Sequence, residues 1–284
     1  MLLEEDVPFE QQWGKIMTSP LAQGHTGWSA LVLAGSRPKG DALAAHFGVS
    51  AKALIDFDGL PMLSHVLKAL HATPAVRQIM VIAQNTDALL DAVEQGGGAV
   101  LRQSSAGISS SIAELAGTSG LPFPILVTTA DHPLLEADLL SAFITDAGDA
   151  DVAVGMVERS ILIARYPSNK RTWLKFADGY WSGANLFALQ SVKCLPALEL
   201  WSRAEQDRKT AWKLFLHFGP WLAVRALTRT IGLGEALRQA GNRLGLKARL
   251  VPLATPEAAI DVDKPDDHRQ ALEIRLNRKQ SNQT

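Results

Sequence analysis

The feature that most constrains the fold is a series of short apolar runs set between helical patterns. Leu31-Val32-Leu33-Ala34 is the first, and similar runs stand near 79–83, 124–129 and 152–156. These early runs are nearly all apolar rather than alternating, the pattern of strands covered on both faces. Such strands need helices on either side, so the chain reads as an α/β protein with a largely parallel sheet. Further strands are expected near 160–164, 184–188 and 248–253. In PMLSHVLKALHA, Pro61 suits the first helical position, and Met62, Leu63, Val66, Leu67 and Leu70 line one apolar face. Other helical patterns lie near 86–94, 109–116, 136–147, 196–207 and 266–277.

Along the 284 residues we expect an N-terminal extension over 1–27, one domain over 28–278 with a helical insertion at about 196–245, and a tail at 279–284. A formal net charge of -1 argues against bulk electrostatic binding of nucleic acid. The single cysteine, Cys194, excludes an intramolecular disulfide and a cysteine-rich zinc site, which fits a reducing cytoplasm. The acidic opening MLLEEDVPFEQQW does not read as a signal peptide. No run approaches ~18 uncharged apolar residues, so a membrane-spanning helix is not expected. Within 211–230, Trp212, Phe215, Phe218 and Trp221 sit among Lys213, His217, Arg225 and Arg229. That mixture fits helices packing on their own sheet or on a second subunit, which leaves an oligomer possible. It also fits a weak membrane-surface contact.

The stretch LVLAGSRPKGD, 31–41, ends a strand in a loop with two glycines and two cations. Backbone N–H groups of such a loop can face an anion, with Arg37 and Lys39 adding donors; a solvated turn explains the same residues. It is neither a Walker A loop nor a dinucleotide fingerprint. In PILVTTADHPLLEADLL, a strand delivers Asp131 at its C-terminal end, where open α/β sheets bind their ligands. Asp261 and Asp263 in AIDVDKPDDHRQAL alternate, so an extended strand would place both on one face. Asp266 and Asp267 are expected to cap the last helix.

The order L-A-G, basic glycine loop, K-A-L at 52–54, G-x-P-M-L at 59–63, T-T-A-D-x-P-L-L at 128–135 and D-x-D-x-P-x-D at 261–267 resembles the MobA-like NTP transferases. The resemblance covers about 29–189 and 248–275. It implies a three-layer α/β/α, Rossmann-like (GT-A-like) fold with a mostly parallel mixed central sheet. It also implies that Leu33, Ala34, Gly35, Ser36, Arg37, Lys39, Gly40 and Lys52 bind the nucleotide. Ser109 and Ser111 would touch its base and ribose, although a serine-rich helix cap accounts for them equally well. Asp131 with Asp263, and less so Asp261, would hold Mg²⁺, while His132 would be a neighbour without chemical role. Arg171, Lys175, Gly183 and Asn185 would meet the acceptor, although a plain β-hairpin accounts for most of them. The sequence departs from the family's first loop, which carries a second glycine directly after L-A-G; here Ser36 and Arg37 follow Gly35.

The implied reaction is nucleotidyl transfer from an NTP, CTP or GTP favoured, to a small phosphorylated acceptor with release of pyrophosphate. Lys52, Arg37 and Asp131 would carry it. A GT-A-type glycosyltransferase using an NDP-sugar is a second reading, opposed by A-D-H-P standing where such enzymes present D-x-D. A non-catalytic nucleotide-binding regulator is a third.

Overall fold

A computed structural model describes residues 27–35, 41–104, 108–206 and 218–281. The first strand, β1 (Trp28–Leu33), is followed by the short helix α1 (Ala42–His46), whose N-cap Asp41 accepts the N–H groups of Leu43 and Ala44. A 3₁₀ turn at Lys52–Leu54 leads into a hairpin of β2 (Asp56–Phe57) and β3 (Leu60–Pro61). Its two-residue turn, Asp58-Gly59, has φ of 56° and 85°, the left-handed pair that type I′ turns need. Helix α2 (Met62–His71) starts one residue later than expected, because Pro61 pairs with Asp56 as the last residue of β3. All five of its expected apolar positions are fully buried.

The chain continues through β4 (Val76–Ala83), α3 (Leu90–Gln95), β5 (Val100–Gln103), α4 (Ile108–Leu115), β6 (Ile125–Thr129), α5 (Ala137–Ala147) and β7 (Val152–Glu158). Next comes helix α6 (Arg159–Arg165), where the apolar run at 160–164 had suggested a strand. Glu158 caps it by accepting the Ser160 N–H, and Leu162 is buried. Four apolar residues in a row carry no period, so the cap decides the outcome. After α6 come β8 (Leu174–Phe176), β9 (Gly179–Leu189), α7 (Leu195–Gln206), α8 (Pro220–Leu227), α9 (Leu233–Arg243), β10 (Ala248–Pro252) and α10 (Pro265–Ser281).

The central sheet has eight strands in the order β10-β7-β9-β6-β1-β4-β5, with β8 paired to β9. Strand β9 runs antiparallel to β6 and β7, while the β1–β4, β1–β6, β4–β5 and β7–β10 pairs are parallel. Successive residues of β1 serve opposite faces: Ala30 and Val32 pack with α2 and α5, and Leu31 packs with Ile112 of α4 and Leu198 of α7. This doubly covered mixed sheet is a three-layer α/β/α fold. Burying it on two sides leaves the C-terminal ends of β1 and β6 as an open edge for chemistry. The expected insertion region contributes α7, α8 and α9; residues 207–217 lie outside those described. Trp221, Val224 and Leu227 of α8 are exposed. Among the described residues no helix is long and apolar enough to cross a membrane.

Candidate functional site

Parallel pairing sets β1 and β6 side by side, in register from Ser29 with Ile125 to Leu33 with Thr129. The Ala130 N–H donates to the Leu33 carbonyl at 3.0 Å, so the Leu33-Ala34-Gly35 exit and Asp131 leave the sheet together. Thr129 Oγ1 donates to Asp131 Oδ1 at 2.5 Å, fixing the carboxylate. Lys52 Nζ, from the 3₁₀ turn, donates to Asp131 Oδ2 at 2.6 Å and also to Asp263 Oδ1. A further bond, Val262 N–H to the Asp131 carbonyl at 2.9 Å, ties the 261–264 segment to the end of β6. One ammonium thus gathers two carboxylates from 79 and 211 residues away in the chain. Burial alone would lower the Lys52 pKa, but the two carboxylates outweigh it and hold the ammonium above its ordinary value.

A second ionic cluster stands beside the first. Arg171 Nη1 donates to Asp261 Oδ1, and Asn185 Nδ2 donates to Asp261 Oδ2 at 3.0 Å. Asn185 sits in β9 at φ 52°, at the register break between the Val154 and Met156 pairings. Left-handed backbone inside a strand marks a β-bulge, which here brings the amide onto Asp261. Burial would raise the Asp261 pKa, but the bond to Arg171 and its charge hold the carboxyl below the usual range. His132 is buried, its Nε2 lies 3.3 Å from the Glu257 carbonyl, and burial pushes its pKa down, so the ring is neutral.

The structure therefore brings Lys52, Asp131 and Asp263 together and sets Asp261 apart with Arg171 and Asn185. The 261–263 segment is not a strand, so the expected shared face gives way to two different cation partners. Lys175 lies over the Tyr180 ring at 5.6 Å, and Gly183 pairs with Met156 in the sheet. Ser111, on α4, is buried. Ser36, Arg37, Lys39 and Gly40, and the side chain of Ser109, lie outside the described residues. Thr129 and the Arg171–Asp261 pair were missed as site residues or partners by sequence reasoning. The signal for Thr129 was present: two residues before Asp131 at a strand end, it shares that side chain's face. Asp267 caps α10 by accepting the backbone N–H groups of Asp263 and Lys264, as expected.

The model of the MobA-like NTP transferase domain matches residues 30–217. The chain belongs to the MobA-like NTP transferase family. The match includes β1, Lys52 and Asp131 and ends before the 261–267 segment. Among solved structures, a hypothetical transferase from Thermus thermophilus is 28% identical, with a TM-score of 0.72 over 85% of this chain and 99% of its own. The fold is also similar to a CMP:2-keto-3-deoxy-manno-octonic acid synthetase complexed with CTP (14% identity, TM-score 0.56, 89% and 99% covered). A 4-diphosphocytidyl-2C-methyl-D-erythritol synthase from Anaerococcus prevotii shares it as well (14%, 0.55, 91% and 100%). Comparison with curated protein sequences finds no match. Family membership makes NTP transfer the coarse functional class of this protein.

Proposed function

We propose that this protein is a Mg²⁺-dependent nucleotidyltransferase that moves NMP from an NTP, CTP or GTP, to a small phosphorylated acceptor. The observation that carries the reading is the convergence of Lys52, Asp131 and Asp263 at the C-terminal end of β6. In the reaction an acceptor phosphate oxygen bonds to the α-phosphorus while the α–β bridge bond breaks and pyrophosphate leaves. A phosphate monoester is largely ionised near neutral pH, so positioning and charge neutralisation carry the rate rather than a strong base.

The residues present suit Mg²⁺. Asp131 and Asp263 already share one compact cation, the Lys52 ammonium, and Asp263 is half exposed at 55%. Among the described residues no group of three or more acidic, histidine or cysteine side chains could form a complete cage. Mg²⁺ needs no such cage, since one or two carboxylates plus water and substrate phosphate serve it. Bound to Asp131 and Asp263, the ion would supply Lewis-acid neutralisation of the reacting phosphates. Lys52 has three donors and spends two on carboxylates, which leaves one for a β- or γ-phosphate oxygen. Thr129 keeps Asp131 from rotating. The exit of β1 at Leu33-Ala34-Gly35 leads into the loop where Arg37 and Lys39 would meet the triphosphate.

A thermal-shift screen of the four NTPs with Mg²⁺ names the nucleotide, because saturation near 100-fold over Kd adds about 2.7 kcal/mol of stability. With that NTP, Asp131→Ala should abolish metal-dependent pyrophosphate release while the protein stays folded. Retained turnover in this variant would sink the proposal.

A further inference from the structure

A cleft of about 680 Å³ lies between the loop at 165–170 and the first turns of α10. Lys170 of the loop and Lys264, which precedes α10, both line it. Each is the chain neighbour of one ionic cluster: Lys170 precedes Arg171, and Lys264 follows Asp263. Neither ammonium has a carboxylate partner among the described residues.

Two of the three acids that line the cleft are otherwise engaged. Asp266 is paired with Arg269 at 2.5 Å, and Asp267 accepts the backbone N–H groups that start α10. Glu273, the third lining acid, forms no ion pair among the described residues, so four cations and three carboxylates leave the lining one net positive charge. Of the other two lining cations, Arg269 is the partner of Asp266 and Arg165 is exposed at the end of α6. Two ammoniums without ion-pair partners in one cleft repel each other until an anion comes between them.

We infer that this cleft is a second anion site, separate from the β1 loop, which holds the charged group of the acceptor between Lys170 and Lys264. The inference rests on the nucleotidyltransferase reading of the adjacent carboxylates. The ligand class it selects is a small anion, phosphate or carboxylate. In this arrangement the acceptor enters from the α10 side and the nucleotide from the β1 side, with Asp263 between them.

The test is calorimetric titration of the full chain with inorganic phosphate and with malonate, each with and without saturating Mg²⁺–NTP. At least one anion should bind with NTP present, and the tighter one names the acceptor's charged group. The K170A/K264A variant should bind it at least about tenfold more weakly, as expected for lost charge-assisted bonds. K170R/K264R should retain binding, and unchanged melting of the alanine variant would show that its fold is intact. Anion binding that is absent from the wild-type protein, or equal in the alanine variant, overturns the cleft while leaving the nucleotide site standing. Lysine-dependent anion binding without any NTP binding removes the acceptor role and, separately, the nucleotidyltransferase reading.

Discussion

The two ionic clusters at the end of the sheet are built from the same parts and differ in what they leave open. In the Lys52 cluster, the cation spans two carboxylates, and one of them is more than half exposed. In the Arg171 cluster, a single carboxylate has both oxygens filled from within the protein, and cation and anion are each only 14% exposed. An ion pair with spare lone pairs at the surface can exchange partners, whereas one that is shielded on both sides, with both carboxylate oxygens taken, can only hold position. Similar chemistry thus supplies an open cluster, the proposed working site, and a closed one, its proposed brace.

Asp131→Asn tests the working half most severely. Pyrophosphate release should fall by about a thousandfold, worth about 4 kcal/mol of barrier, with melting nearly unchanged. A large loss of stability instead would place Asp131 with the brace. Asp261→Ala tests the other half. It leaves Arg171 buried without its partner and should cost about 3 kcal/mol, seen as a drop of roughly 6–12 °C in Tm. Combining Arg171→Met with Asp261→Leu should recover most of that stability, because apolar pairs replace buried ion pairs well. Native melting with lost turnover in Asp261→Ala would move Asp261 into the working cluster.

Thr129→Val sharpens the contrast on a smaller scale. Losing one bond to Asp131 should lower kcat about tenfold, leave KM for the NTP unchanged and shift stability by less than about 1 kcal/mol. A control lies outside both clusters at Asp58, which Lys279 and Arg275 hold at 2.5 and 3.3 Å. The hydrogen bond from Lys279, then the contacts with Arg275, keep the Asp58 carboxyl below its usual pKa despite partial burial. A lowered folded pKa contributes stability above the unfolded value, and the contribution is lost as pH falls through the folded one. Asp58→Asn should therefore be less stable than wild type at neutral pH and converge with it in acid, by denaturant titration at several pH values.

The doubly covered sheet was legible in the sequence because runs such as Leu31–Ala34 offer no polar face. Lys52 and Asp131 were legible as candidates through the order of family-like motifs, with Asp131 also marked by its place at a strand end. Their meeting was not, since the partners are separated by 79 and 211 residues. The same distance hid the Arg171–Asp261 pair: alternation predicted one face for Asp261 and Asp263, and tertiary contacts divided them. Helix α6 was misread because an unbroken apolar run is silent about period. The bulge at Asn185 left no sequence mark, because φ 52° there answers the break opposite Gly155 in the neighbouring strand.

The position of Asp263 in the chain also has a consequence in time. Strand β10 joins the sheet at its outer edge, and the 261–264 segment follows it. A ribosome delivers Lys52 and Asp131 long before it delivers Asp263 and α10. A chain interrupted before residue 263 lacks one of the two carboxylates on Lys52 as well as α10, so under the proposed mechanism it should release no pyrophosphate.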